Sequence, residues 1–241
     1  MTLALLASCT ATAFRPSLTA AILQLARELA IDLVVPSAQT CCGLPAWNAG
    51  QSSAALAAAQ HTLKVFGGYE TIVTASPGCL QMLRQHIPAL LEGRPQADEA
   101  QRLANRSLTW LDFLSQNGHL DRLALSYSGK IALFVPCSQP DDGPLRQILA
   151  RIGDAAILPD PVRQCCGWGA NLAWRHPDLG RALARPVTSA LRLSRADLVL
   201  TTDVDCLHHL APLLRQAGGP TILHLAEFLA DPRISRIVRA F

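Results

Sequence analysis

The sequence predicts an α/β fold of two pseudo-symmetric repeats, each a small parallel sheet flanked by helices. Three observations predict it. The eight cysteines fall twice into one order, the blocks around them repeat, and short Val/Ile/Leu runs alternate with amphipathic stretches. The cysteines stand at 9, 41, 42, 79, 137, 165, 166 and 206, so each half carries one, an adjacent pair, and one more. Leu3-Ala4-Leu5-Leu6-Ala7-Ser8-Cys9 matches Ile131-Ala132-Leu133-Phe134-Val135-Pro136-Cys137. Gln39-Thr40-Cys41-Cys42-Gly43 matches Arg163-Gln164-Cys165-Cys166-Gly167, and Cys79-Leu80-Gln81-Met82-Leu83 matches Cys206-Leu207-His208-His209-Leu210. Leu111-Asp112-Phe113-Leu114 is echoed by Ala226-Glu227-Phe228-Leu229. Four aligned blocks in one order identify an internal duplication, which decides the fold before local propensity does. The repeats are assigned to residues 1–122 and 128–241, with the turn-rich stretch around 117–129 as linker.

The elements follow in order. Apolar runs of buried-strand length predict strands at 2–7, 31–35 and 71–75, then at 130–135, 155–158 and 197–202. Helices are predicted at 17–30, 51–66, 79–86, 178–194 and 206–217, several opened by Ser, Pro or Asp. In the first of these, Leu18, Ile22, Leu25, Ala26 and Leu29 form one apolar stripe. Residues 92–106 have no counterpart in the second half and read as an inserted helix. After Pro232, apolar Ile234, Ile237, Val238 and Phe241 alternate with Arg233, Arg236 and Arg239, which predicts a short amphipathic helix. Strands alternating with helices imply parallel sheets covered on both faces.

Composition excludes several classes. The chain has 241 residues, 50% hydrophobic and 16% charged, enough to bury a sizeable core. Its formal charge is +3, but Lys64 and Lys130 are its only lysines and the arginines are scattered, so no nucleic-acid footprint is present. No apolar stretch reaches the roughly 18–20 residues of a membrane-spanning helix. Leu5-Leu6-Ala7-Ser8-Cys9 looks like a lipoprotein cleavage box, yet no basic residue precedes it and the apolar run is short for a signal sequence. The expected location is therefore the cytoplasm, or its membrane face through partners. There, cysteines serve metal or redox chemistry rather than structural disulfides.

Cys9, Cys79, Cys137 and Cys206 each lie just after a predicted strand, and each Cys-Cys-Gly follows a strand through a short loop. In open α/β sheets ligands gather at the carboxyl ends of strands. Each half thus offers four thiols on one edge, the donor set of an iron–sulfur cluster. Zinc also takes four thiolates, but without a short Cys-x-x-Cys hairpin it is the lesser alternative, confined to one repeat. Vicinal disulfide chemistry at the adjacent pairs and plain burial of small hydrophobes are the remaining readings. Ser76, Asp203 and Asp205 read as loop residues, with hydrogen bonding to a site or rare oxygen ligation as the alternatives. His208 and His209 read as exposed histidines, and Trp47, Asn48, Trp168 and Asn171 as packing around the site. No Gly-x-Gly-x-x-Gly or Walker sequence occurs, and no Ser/His/Asp set stands out.

Cys9-x31-Cys41-Cys42-Gly43-x35-Cys79 resembles the motif of the cysteine-rich CCG family, found in heterodisulfide reductase B subunits and the glycolate oxidase iron–sulfur subunit. Cys41-Cys42-Gly43-Leu44-Pro45-Ala46-Trp47-Asn48-Ala49-Gly50, Cys165-Cys166-Gly167-Trp168-Gly169 with Pro177, and His224-Leu225-Ala226-Glu227 are most similar to the lactate-utilisation A proteins. The resemblance implies an iron–sulfur electron-transfer subunit of a multi-subunit 2-hydroxy-acid, specifically L-lactate, oxidation complex, not an autonomous enzyme. It implies one cluster of 4Fe-4S type per repeat, held by Cys9, Cys41, Cys42 and Cys79 and by Cys137, Cys165, Cys166 and Cys206, near the face between the halves. The family motif closes with Cys-x-x-Cys, whereas Ser76 and Asp203 stand at the first of those positions here. That departure counts against a heterodisulfide-reductase-like subunit, the first alternative; a zinc-binding structural subunit is the second. The absence of a Cys-x2-Cys-x2-Cys run implies that ferredoxin-type clusters reside on a partner chain.

Overall fold

A computed structural model of the chain describes residues 2–139, 141–152 and 164–237. The first half is built on a four-stranded sheet in the order β2-β1-β3-β4, all neighbours parallel: β1 is Leu3–Leu6, β2 Leu33–Val34, β3 Thr71–Thr74 and β4 Ser107–Thr109. Strand β5, Leu123–Leu125, lies outside this sheet. The second half carries β6 (Ile131–Leu133), β7 (Leu198–Thr201) and β8 (Thr221–His224), parallel and in that order. Central β1 and β7 are buried at every residue, which is why they read as unbroken apolar runs. The expected strand at 155–158 lies outside the described residues.

Helices cover the sheets where the apolar stripes predict them, at Pro16–Glu28, Ser52–Phe66, Pro177–Leu193 and Val204–Gln216. The stretch after Cys79 is helical over Pro77–Gln81, widens to a π-turn over Met82–His86 and resumes at Ile87–Leu91. Pro88 explains the widening, because its ring crowds the carbonyl four residues back. The inserted segment forms a helix at Ala97–Asn105.

The halves share one core. Leu18, Ile22 and Leu25 of helix 16–28 pack in the same apolar cluster as Leu200, Val204 and Phe228 of the second half. Separate clusters fill the outer side of each sheet, around Phe66 and Leu83 in the first half and around Phe134 and Leu210 in the second. Arg15 Nε donates to both carboxylate oxygens of Glu227 (2.9 and 2.8 Å), and Ser17 Oγ donates to one of them (2.8 Å).

The stretch around 117–129, read as the linker between the halves, carries a 3-10 turn at His119–Arg122 and strand β5. One expectation is corrected. The segment after Pro232, read as an amphipathic helix, forms strand β9 at Ser235–Ile237, antiparallel to β5. Ser126 N–H also donates to the Ile234 carbonyl (2.8 Å), so the pairing extends past the strand. The β-branched residues Ile234 and Ile237 suit an extended chain, and β5 offers an edge to pair with. Residues 238–241 lie outside the described part.

Candidate functional site

Strand ends turn into helices through side chains that cap them, and this fixes where the cysteines stand. Ser8, after β1, accepts from Ala11 N–H (3.1 Å) and starts the helix that opens with Cys9. Ser76, after β3, caps helix 77–81 and accepts from Cys79 N–H (3.4 Å). Asp203, after β7, accepts from Asp205 N–H (2.8 Å) and caps helix 204–216, which carries Cys206 in its first turn. Such capping satisfies donors that a helix start leaves free. The loop before Cys41 is tied to β1 by Gln39, whose Oε1 accepts from Ala7 N–H (2.9 Å) and whose Nε2 donates to the Leu5 carbonyl (3.3 Å).

The thiols come together in pairs. In the first half, Cys9 Sγ lies 3.6 Å from Cys41 Sγ, and Cys42 Sγ 3.4 Å from Cys79 Sγ. In the second, Cys166 Sγ lies 3.0 Å from Cys206 Sγ, and Cys137 and Cys165 stand close enough to shift one another's ionisation. Cys42, Cys79, Cys166 and Cys206 are buried, while Cys9, Cys137 and Cys165 are exposed and Cys41 is intermediate. Gly43 N–H points at Cys41 Sγ (3.5 Å) and Gly167 N–H at Cys165 Sγ (3.4 Å). Both glycines are left-handed, with φ of 96° and 84°, so the turn that aims these N–H groups is one few other residues adopt. Among the described residues, no three His, Cys, Asp or Glu side chains close on a single point as a one-metal site would require.

Crowding keeps most of the thiols protonated. The Cys41 hydrogen bond, followed by burial, pushes the Cys9 thiol far above its ordinary value. At Cys79 the hydrogen bond from Cys42 favours the thiolate, but burial and the charges of Asp205, Cys9 and Asp203 prevail and raise it. The Cys166 hydrogen bond and burial raise Cys206. Cys165 is the exception, lowered to about 6 by the hydrogen bond from Cys137 and assisted by the Gly167 N–H. Thiols acted on chiefly by one another, by burial and by carboxylates ionise together only around a cationic core. The donor set therefore fits a metal–sulfur group.

The halves meet at this edge. Asp203 Oδ2 accepts from Ser76 Oγ and from Gly78 N–H, each at 3.4 Å, so the capping residue of one half touches that of the other. Burial raises the Asp203 carboxyl above the usual range. His224, at the end of β8, lies between the carbonyls of Ala75 (3.0 Å) and Thr202 (2.9 Å), the residues that precede Ser76 and Asp203. Its Nδ1 accepts from Ala226 N–H (3.1 Å), so the proton resides on Nε2, facing the two carbonyls. Burial lowers its pKa and holds the ring neutral.

A cavity of about 290 Å³ opens beside the first set, lined by Cys9, Cys42 and Cys79 on one side and by Trp168, Trp174 and Asp205 of the second half on the other. Asn48 and Asn171 also reach it, while Trp47 stacks on His86 at 4.7 Å. His208 is not the free exposed side chain expected: it packs 4.5 Å from Phe14 and 5.0 Å from Trp168, ring centre to ring centre. His209 is likewise half-buried. Sequence reasoning missed Trp174 and the bridging role of His224; only the placement of His224 at a strand end hinted at it.

The family described as "CCG: Cysteine-rich domain" matches the chain twice, over residues 3–84 and 131–211. Lactate utilization protein A of Geobacillus thermodenitrificans is 26% identical over 237 residues, covering 95% of this chain and 98% of that protein. The protein of the same description from Geobacillus kaustophilus is 27% identical with the same coverage. Among solved structures, an aspartate racemase homologue from Pyrococcus horikoshii OT3 aligns over 94% of both chains at 13% identity and a TM-score of 0.31, too remote to inform the fold or the chemistry.

Proposed function

The chain belongs to the cysteine-rich CCG-domain family, and from that premise we propose that it is an iron–sulfur electron-transfer subunit of a 2-hydroxy-acid oxidation system acting on L-lactate. The observation that supports the proposal is the close pairing of thiols in each half, Cys9 with Cys41 and Cys42 with Cys79 in the first and Cys166 with Cys206 in the second, beside the ends of two parallel sheets. Each set holds one cluster of 4Fe-4S type, the first through Cys9, Cys41, Cys42 and Cys79, the second through Cys137, Cys165, Cys166 and Cys206. Bound clusters supply one-electron redox chemistry. The protein supplies the thiols, the Gly43 and Gly167 N–H groups that stabilise charge on the outer sulfurs, and an apolar surround that limits water. Relatives named for lactate utilisation, aligned over nearly the whole chain, support the substrate assignment.

The partners on this reading are other subunits of the complex, including a ferredoxin-type protein, because this chain has no Cys-x2-Cys-x2-Cys run. Among the described residues no helix is long and apolar enough to cross a membrane. We place the protein in the cytoplasm, reaching a membrane only through partners. The cavity beside Cys42 and Cys79 supports a second reading, in which a small disulfide accepts electrons directly at the first set.

The test is anaerobic purification of the full chain, with iron, acid-labile sulfide and zinc measured together. The proposal expects brown protein rich in iron and sulfide, inactive towards L-lactate with artificial acceptors when alone. Colourless, stoichiometrically zinc-loaded protein would end it. Turnover of a disulfide by the isolated chain with a reduced dye would favour the second reading.

A further inference from the structure

Asp205 stands in the second half, one residue before Cys206, yet its carboxylate lies at the first half's cysteines. It lines the cavity with Cys9, Cys42 and Cys79, and its charge acts on both Cys9 and Cys79. Its Oδ1 is buried with no hydrogen-bond partner. A carboxylate oxygen withdrawn from water without a donor is unfavourable unless it takes up a proton or a cation meets it, and burial raises the Asp205 carboxyl to about 7. In the duplicated order its counterpart is Gly78, which has no side chain and supplies no equivalent group to the second set. From this geometry we infer that Asp205 is an oxygen donor, across the repeat boundary, to the cluster held by Cys9, Cys41, Cys42 and Cys79. Iron accepts carboxylate oxygen as well as thiolate. The first cluster then has one iron unlike its others, a feature that the repeat does not supply to the second cluster through the position of Gly78. The inference rests on the cluster reading proposed above.

Asp205 also sits in the first turn of a 13-residue helix, where an acidic side chain is favourable without any metal. Spectroscopy separates the two roles. The full chain and its Asp205→Asn and Asp205→Cys variants are loaded anaerobically with Mössbauer-active iron and sulfide, and spectra are taken alongside iron counts. The expected result is one iron subsite of higher isomer shift in the parent chain, lost in Asp205→Asn. Asp205→Cys should keep the iron and give an all-sulfur spectrum. A parent spectrum with only sulfur-bound iron, or a subsite that survives in Asp205→Asn, overturns the inference and leaves Asp205 as a helix-capping or cavity group. If Asp205→Asn does not fold, Asp205→Cys decides, since persistence of the distinct subsite there also overturns it. Failure of the parent chain to take up iron removes the cluster reading itself, and is thereby distinguishable.

Discussion

Cys9 opens a helix capped by Ser8, behind a loop pinned by Gln39 to β1. Its counterpart Cys137 follows β6 into an exposed turn, and the next helix begins only at Gly143. Sulfur spacing differs too, 3.4 Å for Cys42 to Cys79 against 3.0 Å for Cys166 to Cys206. The first set faces a cavity whose far wall is Trp168, Trp174 and Asp205, all from the second half. Duplication has thus given two copies of the cysteine pattern, and among the described residues the cavity beside the first takes from the second copy walls, a carboxylate and the cross-contact of Asp203 with Ser76. Equal cysteine patterns do not make equal environments.

The largest expected difference lies at the two Cys-Cys-Gly turns. A Cβ on Gly167 would stand 2.3 Å from the Gly180 carbonyl oxygen, a backbone atom that cannot step aside. A Cβ on Gly43 would meet Ala58 Cβ at 3.0 Å and the movable Met82 Cε at 3.3 Å. Gly167→Ala should therefore lose about 3 kcal/mol or more, and Gly43→Ala about 1–2 kcal/mol. Thermal melts would register this as unequal drops in Tm, at about 2–4 °C per kcal/mol for a chain of this size. Equal drops would break the comparison.

His224 tests the clamp that holds the two halves together. His224→Leu should cost about 2–3 kcal/mol near pH 7.5, since the buried carbonyls of Ala75 and Thr202 lose their shared donor. The folded pKa lies below the ordinary 6.5, lowered by burial against the opposing influence of Glu227 and Asp203. The unfolded chain therefore takes up this proton first. Stability from neutral His224 is full above pH 6.5 and is lost as pH falls through 6.5 towards the folded value. Chemical denaturation from pH 7.5 to 5 should show the gap between parent and variant narrowing. A gap that widens on acidification would refute the neutral clamp.

A smaller effect is expected where the halves meet in an ion pair. Arg15→Gln breaks the contact in which Arg15 Nε is shared by both Glu227 carboxylate oxygens and should cost about 1 kcal/mol, because the arginine is partly exposed. The loss should shrink in high salt. A salt-independent loss would assign the contact to packing of the arginine stem instead.

Much of this was legible in the sequence. Cysteine order, the duplicated blocks and the central strands β1, β3 and β7 follow from patterns within a few residues of one another. What escaped depends on partners far along the chain. Strand β4, Ser107–Thr109, is too short to show a pattern, and β9 takes an extended form because β5, over a hundred residues earlier, offers an edge. Asp203 looks like an ordinary helix cap until Ser76, 127 residues away, is found against it. Asp205 looks the same until the cavity is seen.

The central claim, one cluster in each half, is tested most directly by counting iron and acid-labile sulfide in Cys42→Ser and Cys166→Ser beside the parent chain, all purified anaerobically. Each substitution removes one buried thiol from one set only. The account predicts that each variant loses about half of the parent's iron and sulfide, with the remaining spectrum different in the two. If one variant loses all the iron, if neither loses any, or if zinc replaces iron in the parent chain, the two-cluster account is contradicted.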